Sequence, residues 1–402
     1  MKCSIILVGT ELLSGATVDT NSIYMAQELN KYGIEIKYKL IVRDEIEDII
    51  SALEFSKKTC DLLILSGGLG PTLDDLTKEA IGKYQNKKLL VDEEELKELR
   101  EKFKNLGIEF LENNLKEIEK PEGAISFKND VGMAPAFYSE GIVAFPGVPR
   151  ELKNMFPKFL KWYNENIKKG DPIYIKDILT YGLPESHLEK AVKDLFVEPG
   201  IDYEFLVKDY GILIRLQSKV SNKNRVEKIL EKIYNRIDSN IFGEDTERLE
   251  SLVIERLKKL KYKISTAESC TGGLVASKLI SVPGASEVFM EGMVTYSNLA
   301  KEERLNVKKE IIEKYGAVSE EVAKEMVLGL HTDVGISITG IAGPSGGTEE
   351  KPVGLVYIGL RIKEDVYIKK MIFKGDREKI RNKSVLHSLF ELNKILKKDV
   401  KQ

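Results

Sequence analysis

Short apolar runs that end in glycine-bearing loops, and then give way to helix-period segments, recur along this chain and leave few folds open. Residues 3–8 read Cys-Ser-Ile-Ile-Leu-Val, the pattern of a strand buried on both faces of a parallel sheet. A loop containing Gly, Thr and Ser follows. Next comes a helix over 21–32 with Ile23, Ala26 and Leu29 on one face, the spacing of an amphipathic helix. A strand over 35–42, a helix over 46–57 and a buried strand over 61–65 continue the alternation. The last of these ends in Ser66-Gly67-Gly68, and a later strand over 142–145 runs into Pro146-Gly147-Val148-Pro149. The alternation predicts a doubly wound α/β domain with its ligand site at the C-terminal ends of the strands.

A chain of 402 residues exceeds one ordinary core and predicts two or three domains. The polar stretch Lys168-Lys169-Gly170-Asp171-Pro172 marks the first boundary. Beyond it a smaller α+β segment is expected: a strand over 173–181, a helix after Pro184, a strand over 211–219 and a helix over 224–237. Phe242-Gly243-Glu244-Asp245 then breaks the pattern. From Leu249 a helix opens a third unit, with a strand over 263–266, a turn at Ser269 and a helix over 274–279. The expected domains are thus 1–168, 169–245 and 246–402.

Charge and cysteine usage exclude several classes. The formal net charge is -2, so no global electrostatic attraction to nucleic acid or membrane is expected. Cys3, Cys60 and Cys270 are widely spaced and odd in number, which shows neither a disulfide framework nor a CxxC metal site. No apolar run approaches the roughly 20 residues of a membrane span, and the N-terminus runs directly into a strand. A cytoplasmic protein is expected.

The third unit carries the sharpest chemistry. Thr266-Ala267-Glu268-Ser269-Cys270-Thr271-Gly272-Gly273 sets a hydroxyl ahead of two glycines, and Tyr296-Ser297-Asn298-Leu299-Ala300-Lys301 follows. A serine at its ordinary pKa needs an adjacent base. The chain's three histidines all lie away from these motifs in sequence, so Lys301, with its pKa lowered by burial, is the candidate. Backbone N–H groups near Thr271, Gly272 and Gly273 suit an oxyanion. After the strand over 335–339, the loop Gly340-Ile341-Ala342-Gly343-Pro344-Ser345-Gly346-Gly347 lets backbone approach a ligand. Arg377, with Arg381 one turn later, suits a phosphate or carboxylate. Each feature also has a plainer reading: Ser269 as a helix cap, Cys270 as inert core, the glycine loop as a tight turn and the arginines as solvated charges.

Together these segments resemble the nicotinamide-nucleotide amidase family, the C-terminal domain of CinA proteins. Further marks are Val294-Thr295-Tyr296-Ser297-Asn298, Gly316-Ala317-Val318-Ser319 and Glu350-Lys351-Pro352-Val353-Gly354. The resemblance implies hydrolysis of nicotinamide mononucleotide to nicotinic acid mononucleotide and ammonia. Ser269 would be the nucleophile, Lys301 the base and then the acid, and Tyr296 an orienting or relay group. Thr271, Gly272, Gly273, Thr339, Gly340, Gly343, Gly346 and Arg377 would contact the substrate, and no cofactor is needed. One departure is Asn306, where the family pattern has glycine.

The first domain has its own constellation. Gly9-Thr10-Glu11-Leu12-Leu13-Ser14-Gly15 follows the first strand, and Asp19-Thr20-Asn21 opens the next helix. Ser66-Gly67-Gly68-Leu69-Gly70-Pro71-Thr72 runs into Asp74-Asp75-Leu76-Thr77. Carboxylates beside glycine-rich backbone suit Mg²⁺ with a diphosphate, although Asp19 and Asp74 also read as helix caps. These motifs, with Asn129 and Pro146-Gly147-Val148-Pro149, resemble the MogA/MoaB-like molybdopterin-binding domain in its CinA form. That resemblance implies an ADP-ribose pyrophosphatase using a divalent metal such as Mg²⁺, with K⁺ a candidate second ion. Glu11, Asn21, Gly67, Gly68, Gly70, Thr72, Pro146 and Gly147 would hold the nucleotide, and Asp19, Asp74 and Asp75 the metal. Met133 and Ala136 depart from the family's Thr and Gly.

The middle segment resembles the KH-like connecting domain of CinA. It lacks the GXXG clamp that KH domains use for RNA, so it is read as a spacer and dimer contact. The expected partners are small nucleotides, with a homodimer and no nucleic acid. The alternative is a nucleotide-binding accessory protein of competence or the DNA-damage response. Molybdopterin binding would rest on fold analogy alone.

Overall fold

The computed structural model describes residues 1–167 and 172–400; the expected boundary at 168/169 lies outside the described residues. Backbone contacts gather the chain into two units, Met1–Tyr174 with Ser218–Lys223, and Ile175–Gln217 with Asn224–Gln402.

In the first unit a six-stranded sheet runs in the order Glu35–Val42, Lys2–Val8, Leu62–Ser66, Ile142–Phe145, Ala136–Ser139, Ile125–Phe127. The first four strands are parallel and the last two are antiparallel. Successive residues of the buried strands feed opposite faces. Ile5, Leu7, Ile64 and Phe145 pack with Met25, Leu29, Phe156 and Phe159 on one side. Ile6, Val8, Leu63 and Leu65 pack with Ile49, Leu53, Ala80 and Ile81 on the other. The expected doubly wound layering is therefore present.

Two details differ from the sequence reading. The loop after the first strand contains a short helix, Thr10–Leu13. Helix Asn21–Lys31 buries Asn21, Ser22, Met25 and Leu29 and leaves Ile23 53% exposed, which corrects the expected face of Ile23, Ala26 and Leu29. The cause is polar: the Asn21 amide donates to Ser66 Oγ at 3.0 Å and to Gly147 O at 2.7 Å. Those bonds fix the helix's rotation.

In the second unit a four-stranded sheet has the order Ile201–Lys208, Gly211–Lys219, Ile173–Thr180, Ile241–Glu244. The first of these strands was not foreseen, because its alternating charges (Ile-Asp-Tyr-Glu-Phe) hide its apolar residues. The larger sheet runs Phe289–Val294, Ile264–Glu268, Val334–Gly340, Leu355–Ile362, Asp365–Ile372. Its first three strands are parallel and the last two antiparallel. Helices Leu249–Leu260 and Arg377–Asp399 supply Val253, Leu257, Leu389, Leu392 and Leu396 to one face. Helix Glu320–Leu328 supplies Val322, Met326 and Val327 to the other. Among the described residues no helix is long and apolar enough to cross a membrane.

Gly67 is fixed by geometry. Its φ is +114°, and a Cβ there would sit 2.0 Å from Val8 O. Gly67→Ala should therefore cost about 2–4 kcal/mol through strain and overpacking. Gly15→Ala, at φ +74° with nothing within 4 Å, should cost only about 1 kcal/mol. Urea unfolding midpoints of the two variants check the difference.

Candidate active site

The strand ends of the larger sheet in the second unit converge on Ser269. Ladder bonding continues one residue past each strand: Ser269 N–H donates to Ile338 O at 2.9 Å, and Thr295 N–H to Glu268 O at 2.9 Å. Ser269 and Thr295 are thereby fixed on neighbouring strand ends. Ser269 is only 8% exposed.

The turn after Ser269 is closed by Glu268. Its buried carboxylate accepts from Gly273 N and Val275 N at 3.0 Å and from Ala276 N at 2.9 Å. These are the otherwise unpaired N–H groups at the start of helix Leu274–Ile280, so the carboxylate caps the helix electrostatically as well. Ser269 makes no cap bond there, which removes the plainer reading of that residue. It also changes the expected anion site. Gly273 N–H is taken by Glu268, and Gly272 N–H donates to Ser269 O at 3.1 Å. The N–H groups of Cys270 and Thr271, like that of Leu274 at the helix start, have no protein acceptor among the described residues.

Lys301 enters from helix Asn298–Leu305, which Ser297 caps by accepting from Ala300 N at 3.1 Å. Lys301 is 1% exposed. Its Nζ lies 3.2 Å from Ser269 Oγ and donates to Thr295 O at 2.8 Å and Tyr296 O at 3.3 Å. Burial holds its pKa below the ordinary lysine value, against a smaller opposing pull from the Cys270 thiol. Ser297 O, at 3.5 Å, is a third carbonyl on the same amine; when neutral, the amine can keep its two N–H groups on these carbonyls and turn its lone pair to the Ser269 hydroxyl. Cys270 is no competitor: burial pushes its thiol up to about 11, so it stays protonated and unreactive. Asn306 stands at φ +55° as the left-handed C-cap of the Lys301 helix, a position asparagine tolerates in place of glycine.

The remaining expected residues divide. Tyr296 is 63% exposed, and its hydroxyl accepts from Arg377 Nη2 at 3.3 Å rather than meeting Ser269 or Lys301. Arg377 also donates to Gly343 O at 2.8 Å, and Arg381 to Thr271 O at 2.8 Å. Both guanidinium groups therefore border the turn and the glycine loop, with Gly343 at φ +75° and Gly346 at φ +89°. Thr339 is committed elsewhere: its hydroxyl donates to Ala317 O at 2.8 Å. Gly340 is a strand residue whose Cβ would meet Val356 Cγ2 at 2.7 Å; both residues are structural. Three buried polar atoms here lack partners: Thr271 Oγ1, Thr295 Oγ1 and Arg381 Nε. Sequence reading passed over Glu268 and Thr295. A carboxylate ending an apolar strand just before the nucleophile was the available signal for Glu268.

In the first unit, Asn21, Ser66, Gly67, Pro146 and Gly147 do come together. Beyond the Asn21 bonds, Ser66 Oγ donates to Pro146 O at 3.3 Å, and a Cβ on Gly147 would be 3.5 Å from Gly67 Cα. Asn21 Oδ1 is buried without a partner. Gly68 is packed by Thr77, whose hydroxyl donates to Gly67 O at 2.8 Å. Asp75 is drawn to its own loop, accepting from Thr72 N at 3.0 Å and Thr72 Oγ1 at 2.5 Å beside Gly70. Asp19 accepts from Ser22 N at 2.9 Å and from the Ser22 hydroxyl, which is helix capping. Asp74 and Glu11 are exposed. Among the described residues no three His, Cys, Asp or Glu side chains gather into a metal-holding group, so Asp19, Asp74 and Asp75 do not form a ready coordination set. Ala136 is an ordinary buried strand residue whose N–H faces Met155 Sδ at 3.2 Å, and Met133 packs on Leu99, Phe103 and Ile118.

Comparison with known proteins matches three segments of the chain. Residues 246–396 match the CinA C-terminal domain, residues 4–165 the probable molybdopterin binding domain, and residues 176–243 the damage-inducible protein CinA KH domain. A CinA-like protein of Fusobacterium nucleatum is 62% identical over 403 residues, covering 100% of both chains. A putative competence-damage inducible protein of Clostridium beijerinckii is 43% identical over 98% of this chain and 100% of its own length. A CinA-like protein of Kosmotoga olearia is 41% identical over 97% of each. With a MoaB-like first domain, a small KH-like segment and a CinA C-terminal domain in one α/β chain, the protein belongs to the CinA family of competence-damage inducible proteins.

Proposed function

We propose that the C-terminal site is a serine–lysine amidase acting on the carboxamide of nicotinamide mononucleotide. The observation that carries this reading is the contact between a fully buried lysine amine and the Ser269 hydroxyl, at 3.2 Å. Ser269 Oγ attacks the amide carbon while its proton passes to Lys301 Nζ. The oxyanion is met by the free N–H groups of Cys270 and Thr271, each such donor being worth roughly 3–4 kcal/mol in acyl transfer. As the C–N bond breaks, Lys301 returns the proton to the leaving nitrogen and ammonia departs. Water, deprotonated by the same amine, then hydrolyses the Ser269 ester and releases the acid. Arg377 and Arg381 supply positive charge for the substrate phosphate. Tyr296, hydrogen-bonded to Arg377, orients that arginine instead of relaying protons.

A second activity is proposed for the first unit: cleavage of a nucleoside diphosphate of the ADP-ribose type at the turn of Asn21, Gly67 and Gly147. The buried, unpartnered Asn21 Oδ1, whose amide holds Gly147 O beside Gly67, favours it. The dispersed carboxylates do not fit a preformed metal site, so no catalytic step is assigned to a metal.

Ser269→Ala should lower ammonia release from nicotinamide mononucleotide by more than roughly 10³-fold, and Lys301→Met by roughly 10²–10⁴-fold. Retained release in either, with the fold intact by circular dichroism, would overturn the assignment. Because Lys301 must be neutral to act and its pKa is lowered, kcat/KM should rise with pH through that lowered pKa and then level. A flat profile, or one falling over the same range, contradicts a lysine base. EDTA should leave ammonia release unchanged, since Ser269 and Lys301 supply both nucleophile and base. Asn21→Ala should reduce AMP formation from ADP-ribose, assayed with added Mg²⁺, while sparing ammonia release.

A further inference from the structure

Lys78, on helix Thr77–Gln85, is 1% exposed and has no part in either proposed reaction as derived so far. Its Nζ donates to Leu69 O at 2.9 Å and to Lys116 O. The same helix end collects two further carbonyls of the loop: the Thr77 hydroxyl donates to Gly67 O at 2.8 Å, and Thr77 N–H to Gly68 O at 3.1 Å. Three successive carbonyls are therefore turned onto one helix end. Across a trans peptide the next residue's N–H points the other way. The N–H groups of Gly68, Leu69 and Gly70 are thus turned off the helix, and among the described residues none has a protein acceptor. Successive N–H groups of this kind, here with Gly67 at φ +114° and Gly68 at φ +67°, form a concavity that takes an anion. The Lys116 amine donates to Thr72 O at 2.9 Å, so the segment Glu112–Ile118 holds the far end of the loop as well.

A buried ammonium is costly, and an apolar side chain of similar length would fill the same space without that cost. The carboxylates around it come from every neighbouring segment: Asp75 in the loop, Glu79 on the same helix, and Glu117 and Glu119 in and after the segment Glu112–Ile118. Among the described residues none makes an ion pair with Lys78. Asp75 is held by Thr72, Glu79 by Lys116 at 3.0 Å, and Glu117 by Asn114 at 3.1 Å. The hydrogen bonds of Lys78 go to backbone instead. We propose that Lys78 is a positioning residue for the diphosphate of the nucleotide: its charge anchors the carbonyl side of the Leu69–Gly70 peptide, so that the N–H groups of Gly68, Leu69 and Gly70 face the anion. A cation on the carbonyl and an anion on the N–H lie at opposite ends of one peptide dipole and strengthen each other. This role rests on the first unit's proposed site for a nucleoside diphosphate of the ADP-ribose type.

Titration calorimetry of the full-length chain with a methylene-bridged analogue of ADP-ribose tests this. That ligand resists cleavage, and its charges stay fixed from neutral to alkaline pH. Burial lowers Lys78 to about 8, so its charge is present below that pH and lost above it. Wild-type affinity should fall about fivefold between about pH 7 and about pH 9.5. Lys78→Met should bind about tenfold more weakly at about pH 7 and lack that fall. By linkage, saturating analogue should raise the Lys78 midpoint in a ¹³C-lysine NMR titration of the wild type by about 0.7, the same fivefold. An unmoved midpoint overturns the proposal without recourse to a variant. So does a Lys78→Met chain, folded by its thermal melt, whose affinity falls with pH in parallel with wild type. A wild type that binds no analogue at any pH removes the first unit's nucleotide site together with the role of Lys78. A wild type that binds, with Lys78→Met within about twofold of it, removes the role of Lys78 alone.

Discussion

Taking the amine of Lys301 out of water is the constraint on which the catalytic arrangement depends. A buried ammonium is expensive unless an opposing charge is near, and among the described residues no carboxylate stands within ion-pair distance of Nζ. Backbone carbonyls of Thr295 and Tyr296 satisfy its N–H groups instead. Burial lowers the pKa of that amine, and in the proposed amidase a neutral amine against a serine hydroxyl is a base in place before substrate arrives. The strands fix this pair: Ser269 and Thr295 are held by ladder bonds that run past the strand ends, so the proposed nucleophile and the carbonyl that meets Lys301 share one rigid sheet.

The adjacent buried carboxylate does different work. Glu268 precedes the nucleophile yet points away from it, onto the N–H groups that open the following helix. It closes the glycine turn, whose Gly272 and Gly273 stand at positive φ, and takes up the Gly273 donor that a simpler reading would offer to the oxyanion. Glu268, at the end of its strand, and Lys301, on helix Asn298–Leu305, are both buried beside Ser269 yet are not an ion pair. Each meets backbone groups of matching polarity: N–H groups for the Glu268 carboxylate oxygens, carbonyls for the Lys301 amine.

The pairing of Ser269 with Lys301 was legible because nucleophile chemistry demands a base and the chain offers no histidine near either motif. The layered α/β fold was legible from apolar runs ending in glycine. What escaped depended on side-chain direction. Ile23 looked like core by spacing, yet the helix is turned by Asn21 and buries Met25. Thr339 looked like a ligand contact, yet its hydroxyl is spent on Ala317. The gathered glycines and Asn21 of the first unit were foreseen, whereas Asp19 and Asp75 turn out to be held by Ser22 and Thr72. Strand Ile201–Lys208 was missed because its alternating charges lower its apolar signal.

The state of Lys301 itself is the most direct test. An NMR titration of chain carrying ¹³C-labelled lysine side chains should show a lysine titrating below the surface lysines, in a signal that disappears in Lys301→Met. Lys78, buried against Leu69 O and likewise lowered, to about 8, provides an internal reference that persists in that variant. If the signal lost in Lys301→Met titrates together with the exposed lysines, Lys301 is charged at neutral pH and cannot serve as the base for Ser269.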